Sequence, residues 1–231
     1  MIKIGVQLSF FMIVPLFAQS QINSSSVFLT DVKGVPITTN TESDISGSPF
    51  FISSWSNGDI TIKNGAVVND VSIKLNLFTN EVHYLGGENG KMELVANRGS
   101  IRAIMFKKIS ENGVETLKFR IGFPAINSKN LESFYLVICE GNCVLVKSIS
   151  KKIQEIKPFN SAVTEKKFVE DENLYLFKNN KIIRVKKNKD FIIEHLNDRQ
   201  EIIQKYVSEN KLKCKTENDL VRIVNYYNGL E

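Results

Sequence analysis

Histidine is close to absent. The chain has two among 231 residues, His83 and His195, so any hydrolase site built on an imidazole base must use one of them. No Gly-x-Ser-x-Gly elbow or other local feature selects a nucleophile to go with either. Cysteine is scarce too, with Cys139, Cys143 and Cys214 alone. Two histidines and three scattered cysteines give no metal-ligand spacing. The run Glu170-Asp171-Glu172 lacks the alternate spacing of a calcium loop and reads as an acidic turn. Trp55 is the single tryptophan, which argues against the tryptophan-lined cleft common in glycan-cleaving enzymes. Paired carboxylates converging from distant positions stay open. Gly86 to Met92 superficially resembles a phosphate loop, but it is one residue short. Met92 also stands where magnesium coordination needs a hydroxyl. No cofactor, metal or catalytic residue is therefore expected.

Long apolar runs are also missing after the first residues. The opening "MIKIGVQLSFFMIVPLFAQSQ" has a positive residue, Lys3, then an apolar stretch from Ile4 to Phe17 broken by Gln7, Ser9 and Pro15. It is too short for a comfortable span and reads as a secretory signal, with residues 1–18 removed after Ala18. The expected location is outside the cytoplasm, in the periplasm or on the outer cell surface, with no transmembrane span in the mature chain. Nucleic acid is then a poor partner. The net charge of +5 is concentrated in residues 147–189, which hold twelve basic and five acidic side chains. Lys147, Lys151, Lys152, Lys181, Arg184, Lys186, Lys187 and Lys189 form the candidate basic binding surface. It would suit an envelope protein, an anionic lipid or a glycan. The competing reading is a solvated, lysine-rich strand surface.

What is present in quantity is alternation. After a Ser/Thr/Asn-rich linker or edge segment (19–46), the pattern from Gly47 has period two. Asn64-Gly65 predicts a type I′ hairpin turn. In "VSIKLNLFTNEVHYL" a turn centred on Thr79-Asn80 pairs Leu77 with Val82 and Leu75 with Tyr84. That puts them on one face with Val71 and Ile73, and leaves Ser72, Lys74, Asn76 and His83 on the other. Residues 59–95 are expected to be an antiparallel meander. Further strands follow at 101–109, 115–123, 133–149, 166–170 and 173–187, the last a hairpin around Asn179-Asn180. The aromatics of "SPFFISSW" sit in an irregular segment that either plugs the sheet or presents a sticky patch.

After Lys187 the period becomes helical. Residues 190–196 fit a short helix, Asn197 with Gln200 reads as a capping box, and Thr216 with Asp219 as a second one. Leu220, Ile223, Val224 and Tyr227 share one helix face. The fold class is α+β: an antiparallel β domain (47–187), as a sandwich or partly open barrel, followed by two to three short helices in residues 188–231. Cys139 and Cys143 flank a tight turn. A three-residue loop would set them face to face, and a disulfide is then plausible in an oxidising compartment. A two-residue loop at Gly141-Asn142 would set them diagonally instead.

Gly47, Pro49, Phe50, Gly58, Gly65, Val71, Ile73, Leu75, Asn76, Thr79, Asn80 and Tyr84 together form a pattern. With the C-terminal "NKL…DL…YYN", it resembles a group of exported Bacteroidota proteins of unknown function. The resemblance spans about residues 47–230 and implies fold continuity and export. It implies no catalytic residues. The functional expectation is an envelope binding or interaction module. A hydrolase acting on envelope glycans or peptides and an architectural subunit are the alternatives.

Overall fold

The alternation of Val71, Ile73, Leu75 and Leu77 with Ser72, Lys74 and Asn76 is spent on one buried face, as the sequence predicts. Ile73, Leu75, Leu77, Val82 and Tyr84 are all at most 6% exposed, and Val71 packs against them. The computed structural model describes residues 35–36, 45–87, 89–110, 113–157 and 164–230. The expected signal segment (1–18) and most of the linker lie outside the described residues.

Among the described residues, twelve strands form one sheet. They are β1 (Val35–Pro36), β2 (Ile45–Ser46), β3 (Ser56–Ile62), β4 (Val67–Asn76), β5 (Glu81–Gly86), β6 (Met92–Val95), β7 (Ile101–Ser110), β8 (Gly113–Arg120), β9 (Tyr135–Cys139), β10 (Val144–Ile156), β11 (Glu165–Lys178) and β12 (Lys181–Arg184). The order is β1-β6-β5-β4-β3-β7-β8-β9-β10-β11-β12, and β2 adds to β11. Every pairing is antiparallel except β2 with β11. Three helices follow: α1 (Lys189–His195), α2 (Gln200–Glu209) and α3 (Glu217–Asn228), with a 3-10 turn at Asn197–Arg199 between the first two. This is the expected α+β class, with an open rather than a closed sheet.

Local details depart from expectation for identifiable reasons. The β4–β5 register pairs Leu75 with Val82 and Lys74 with His83. The register is thus shifted by two residues, and the turn is centred one residue earlier, on Phe78-Thr79. An even shift leaves every side chain on its predicted face. At Asn64-Gly65 only Gly65 has positive φ (+93°), and Ile62 pairs with Ala66 through a three-residue loop, not a type I′ turn. Asn179 and Asn180 both have positive φ (49° and 58°), as a type I′ turn demands. The acidic run 170–172 is no turn, because β11 continues straight through it. Asn197 caps nothing with its side chain. The α1 cap is Asn188, whose side-chain Oδ1 accepts from Phe191 N, and Thr216 caps α3 by accepting from Asp219 N as expected.

Burial divides into three clusters. The first lies on the inner face of β3–β8 and reaches Ile149 of β10. The second joins β9–β11 to the helices and contains Leu145, Leu176, Ile203, Leu220, Ile223 and Val224. The third lies on the other face of β9–β11, around Phe123, Tyr135, Val146 and Tyr175. The first half of β10 (144–149) and the last part of β11 (174–177) are therefore covered on both faces, which is why those residues lose the apolar–polar alternation.

Residues 45–51 act as a strap between the halves of the sheet. Ile45 and Ser46 lie parallel along β11, while Pro49 O accepts from Leu77 N and Leu75 O accepts from Phe51 N, both at 2.8 Å. The aromatics of this segment divide. Phe51 enters the first cluster beside Phe106 and Phe119, whereas Phe50 stacks edge-on against His83 on the opposite face. The ammonium of Lys74 sits over Phe50 and Trp55, at 5.0 and 4.5 Å from the ring centroids. The face expected to be wet is thus largely covered, and His83 is 7% exposed with Nδ1 2.8 Å from Glu93 Oε1.

Candidate functional site

The connection from β8 to β9, residues 121–134, carries no strand of its own. Connections at or beyond about 12–15 residues are uncommon in compact domains and are often functional. This one is rigid. Ile126 and Lys129 exchange two backbone hydrogen bonds (3.1 and 3.0 Å) around Asn127, whose φ is +53°. Asn130 Oδ1 then accepts from Glu132 N at 2.9 Å, and Ser133 Oγ accepts from Asn130 N at 3.0 Å. Asn80, in the β4–β5 turn, fastens the loop from across the gap. Its Nδ2 donates to Glu132 O (2.9 Å) and its Oδ1 accepts from Phe134 N (3.0 Å).

Between this loop, the β4–β5 turn and the β6–β7 turn lies a cavity of about 200 Å³. Four charged side chains line it: Glu81, Arg98, Lys129 and Glu132. Arg98 and Glu81 pair with each other at 3.5 Å. Lys129 is half-buried and has no ion pair among the described residues. Burial pulls its ammonium below the ordinary lysine range, and the offsetting attraction comes from Asp171, outside the lining. The Thr79 hydroxyl oxygen, also in the lining, is shielded from solvent without a hydrogen-bond partner. Gly99 (φ +72°) leaves room for Glu132: a Cβ here would stand 2.9 Å from Glu132 Oε1. Backbone fastening of this kind holds the polar groups in place before any ligand arrives, which lowers the ordering cost of binding. Sequence reasoning missed the cavity. The signal available was the gap itself, rich in turn-formers from Gly122 to Asn130, between two strand patterns.

A second concavity of about 380 Å³ lies between the β11–β12 hairpin and α1, lined by Cys143, Lys178, Lys181, Glu194 and His195 among others. It brings a histidine and a thiol to one place, but not as a nucleophile. Burial pushes the Cys143 thiol up to about 12, so thiolate is negligible near neutrality. His195 Nδ1 is engaged with Phe191 O at 2.7 Å. Lys178 is held by Asp198, which also accepts from Tyr227 Oη at 2.7 Å.

The candidate disulfide is not formed: Cys139 and Cys143 are free, buried thiols. Register explains this, since Cys139 pairs with Leu145, beside a bulge, and not with Cys143. Neither of the two expected loops occurs. Asn228 instead grips the loop from the last turn of α3. Its Oδ1 accepts from Cys143 N at 2.8 Å, and its Nδ2 donates to Cys143 O (2.8 Å) and Glu140 O (3.0 Å). Cys214 is fully buried.

The predicted basic surface does not assemble as one patch. Lys147 is 15% exposed and paired with Glu217 (2.5 Å) and Glu172 (3.5 Å). Lys151 spends its ammonium on Ser48 O and Phe50 O, both 2.8 Å, and so locks the strap. Lys189 donates to Ser208 Oγ at 3.2 Å, and the Arg184 guanidinium bonds Asn173 Oδ1. Lys186 lies over the Phe191 ring at 5.9 Å. Lys152, Lys181 and Lys187 are exposed, but Lys152 pairs with Val169 and Lys181 with Lys178, at opposite ends of β11.

No protein-family model matches the chain, and neither a curated protein nor a solved structure does. Among the described residues no helix is long and apolar enough to cross a membrane, and no group of three or more metal-ligating side chains occurs.

Proposed function

We propose that this chain is an exported cell-envelope binding module whose binding site is the cavity beneath the 121–134 loop. The observation that carries the reading is Lys129. A half-buried ammonium with no ion pair among the described residues, attracted only at longer range by Asp171, is costly, and in a polar cavity held by side chain-to-backbone bonds it marks the place where an anionic group of a ligand would sit. The N-terminal signal pattern and the resemblance to exported Bacteroidota proteins support the envelope location. The scattering of the basic side chains argues against a broad electrostatic surface as the main site.

The test is titration of the purified chain with acetate and with inorganic phosphate, followed by amide chemical shifts and by thermal stability. Saturable shifts confined to residues around 79–81, 97–101 and 128–134 are expected, with stability rising as the ligand saturates. Lys129→Met is expected to abolish both effects. Binding that survives this substitution, or shifts spread over the lysines of β10 and β11, would overturn the reading.

A second reading, a hydrolase of envelope glycans or peptides, draws on Glu81 and Glu132 lining one cavity. It requires turnover of cell-wall fragments that disappears in both Glu81→Gln and Glu132→Gln.

A further inference from the structure

We infer that the cavity beneath the 121–134 loop takes a small zwitterion of the amino-acid class, its carboxylate on Lys129 and its ammonium on Glu132; the inference rests on reading this cavity as a binding site. Of the four charges that line it, Arg98 and Glu81 neutralise each other at 3.5 Å. That leaves one cation and one anion. Lys129 and Glu132 are three positions apart in the chain and line the same space, yet no ion pair joins them. Their main chains are fixed. The turn bonds between Ile126 and Lys129 set the position of Lys129, and the backbone at Glu132 is held from both sides, by Asn130 Oδ1 on its N–H and Asn80 Nδ2 on its carbonyl.

Two opposite charges that line one cavity without pairing are complemented by a ligand that carries both in reverse order. A ligand with only one charge satisfies half the site. Size decides between a free amino acid and anything larger. A cavity of about 200 Å³ falls below the roughly 300–1,000 Å³ of pockets that enclose drug-sized ligands, so the part of a ligand it encloses is the size of a small amino acid.

The experiment is calorimetric titration of the intact chain with four probes: glycine, β-alanine, acetate and methylammonium. At least one of the two amino acids is expected to bind about tenfold more tightly than acetate, the increment of one charge-assisted contact. Methylammonium is expected to bind more weakly than either amino acid. Glu132→Gln alters an exposed side chain and is expected to fold normally. It should bring the amino acids down to the affinity of acetate and leave acetate unchanged. Lys129→Met should remove binding of amino acids and acetate alike. If acetate binds as tightly as both amino acids and Glu132→Gln changes nothing, the zwitterion assignment is wrong while the anion site stands. If no probe binds the wild-type chain, or Lys129→Met binds like wild type, the cavity is not the site and both proposals fall.

Discussion

Single residues in this chain do work that linear patterns hide. Gly141 has φ +142°, and a Cβ there would stand 2.5 Å from the Asn228 amide. The close approach lets Asn228 reach the backbone of both Glu140 and Cys143. Asn228→Ala should therefore cost about 1–3 kcal/mol in urea unfolding, because the backbone groups of buried Cys143 lose their partner. Gly141→Ala should destabilise by at least as much, adding strain to the lost fit. A change within about 0.5 kcal/mol for both would show that the contact is dispensable. The roles of Lys147 and Lys151 were illegible for a related reason. The partners of Lys147 include Glu217, far along the chain, and those of Lys151 are main-chain carbonyls of residues 48 and 50. A charge count over a window registers neither.

Elements were read more accurately than their junctions. Period-two stretches became strands and the α3 stripe of Leu220, Ile223, Val224 and Tyr227 is fully used, because burial of one face imposes its period on the sequence. Turn type, register and caps failed where one bond decides, as at Asn64-Gly65 and Asn197. The cavity was unreadable because its walls come from three separate connections. The helices dock through a small polar joint: Lys178 of β11, Asp198 of the 3-10 turn and Tyr227 of α3. Burial works to raise the Asp198 carboxyl, but the bonds from Lys178 and Tyr227 outweigh it and hold the group below its ordinary value. A depressed carboxylate adds stability above its unfolded value, about 3.9, and loses it as pH falls through the folded value. Burial would lower Lys178, yet its bond to Asp198 raises it, while burial and the Asp198 bond raise Tyr227. Those two contributions are lost at the alkaline end, as pH rises through their folded values. Asp198→Asn should thus be less stable than wild type near pH 7, and the gap should close in acid, as pH falls through the lowered value of the Asp198 carboxyl. Melting curves across pH check this; a gap that persists into acid would assign the effect to packing instead.

At the scale of the whole molecule, strands and helices are not separable domains, although their sequence patterns change sharply near Lys187. Leu145 and Leu176 of the sheet share one cluster with Ile203, Leu220 and Val224 of the helices. Deleting residues 188–231 should leave that face of β9–β11 bare and yield an aggregating chain. A soluble, cooperatively melting 19–187 fragment would refute the shared core. The strap at 45–51 binds the other half in the same spirit, tying β4 to β10 and β11 by backbone bonds and by Lys151.

The grip of Asn228 on Cys143 spans 85 positions. A polypeptide that emerges from its N-terminus onward cannot finish the sheet's helix-covered side until its last turn arrives. Until then the apolar residues beneath the helices lie open to water, and only afterwards does that side close.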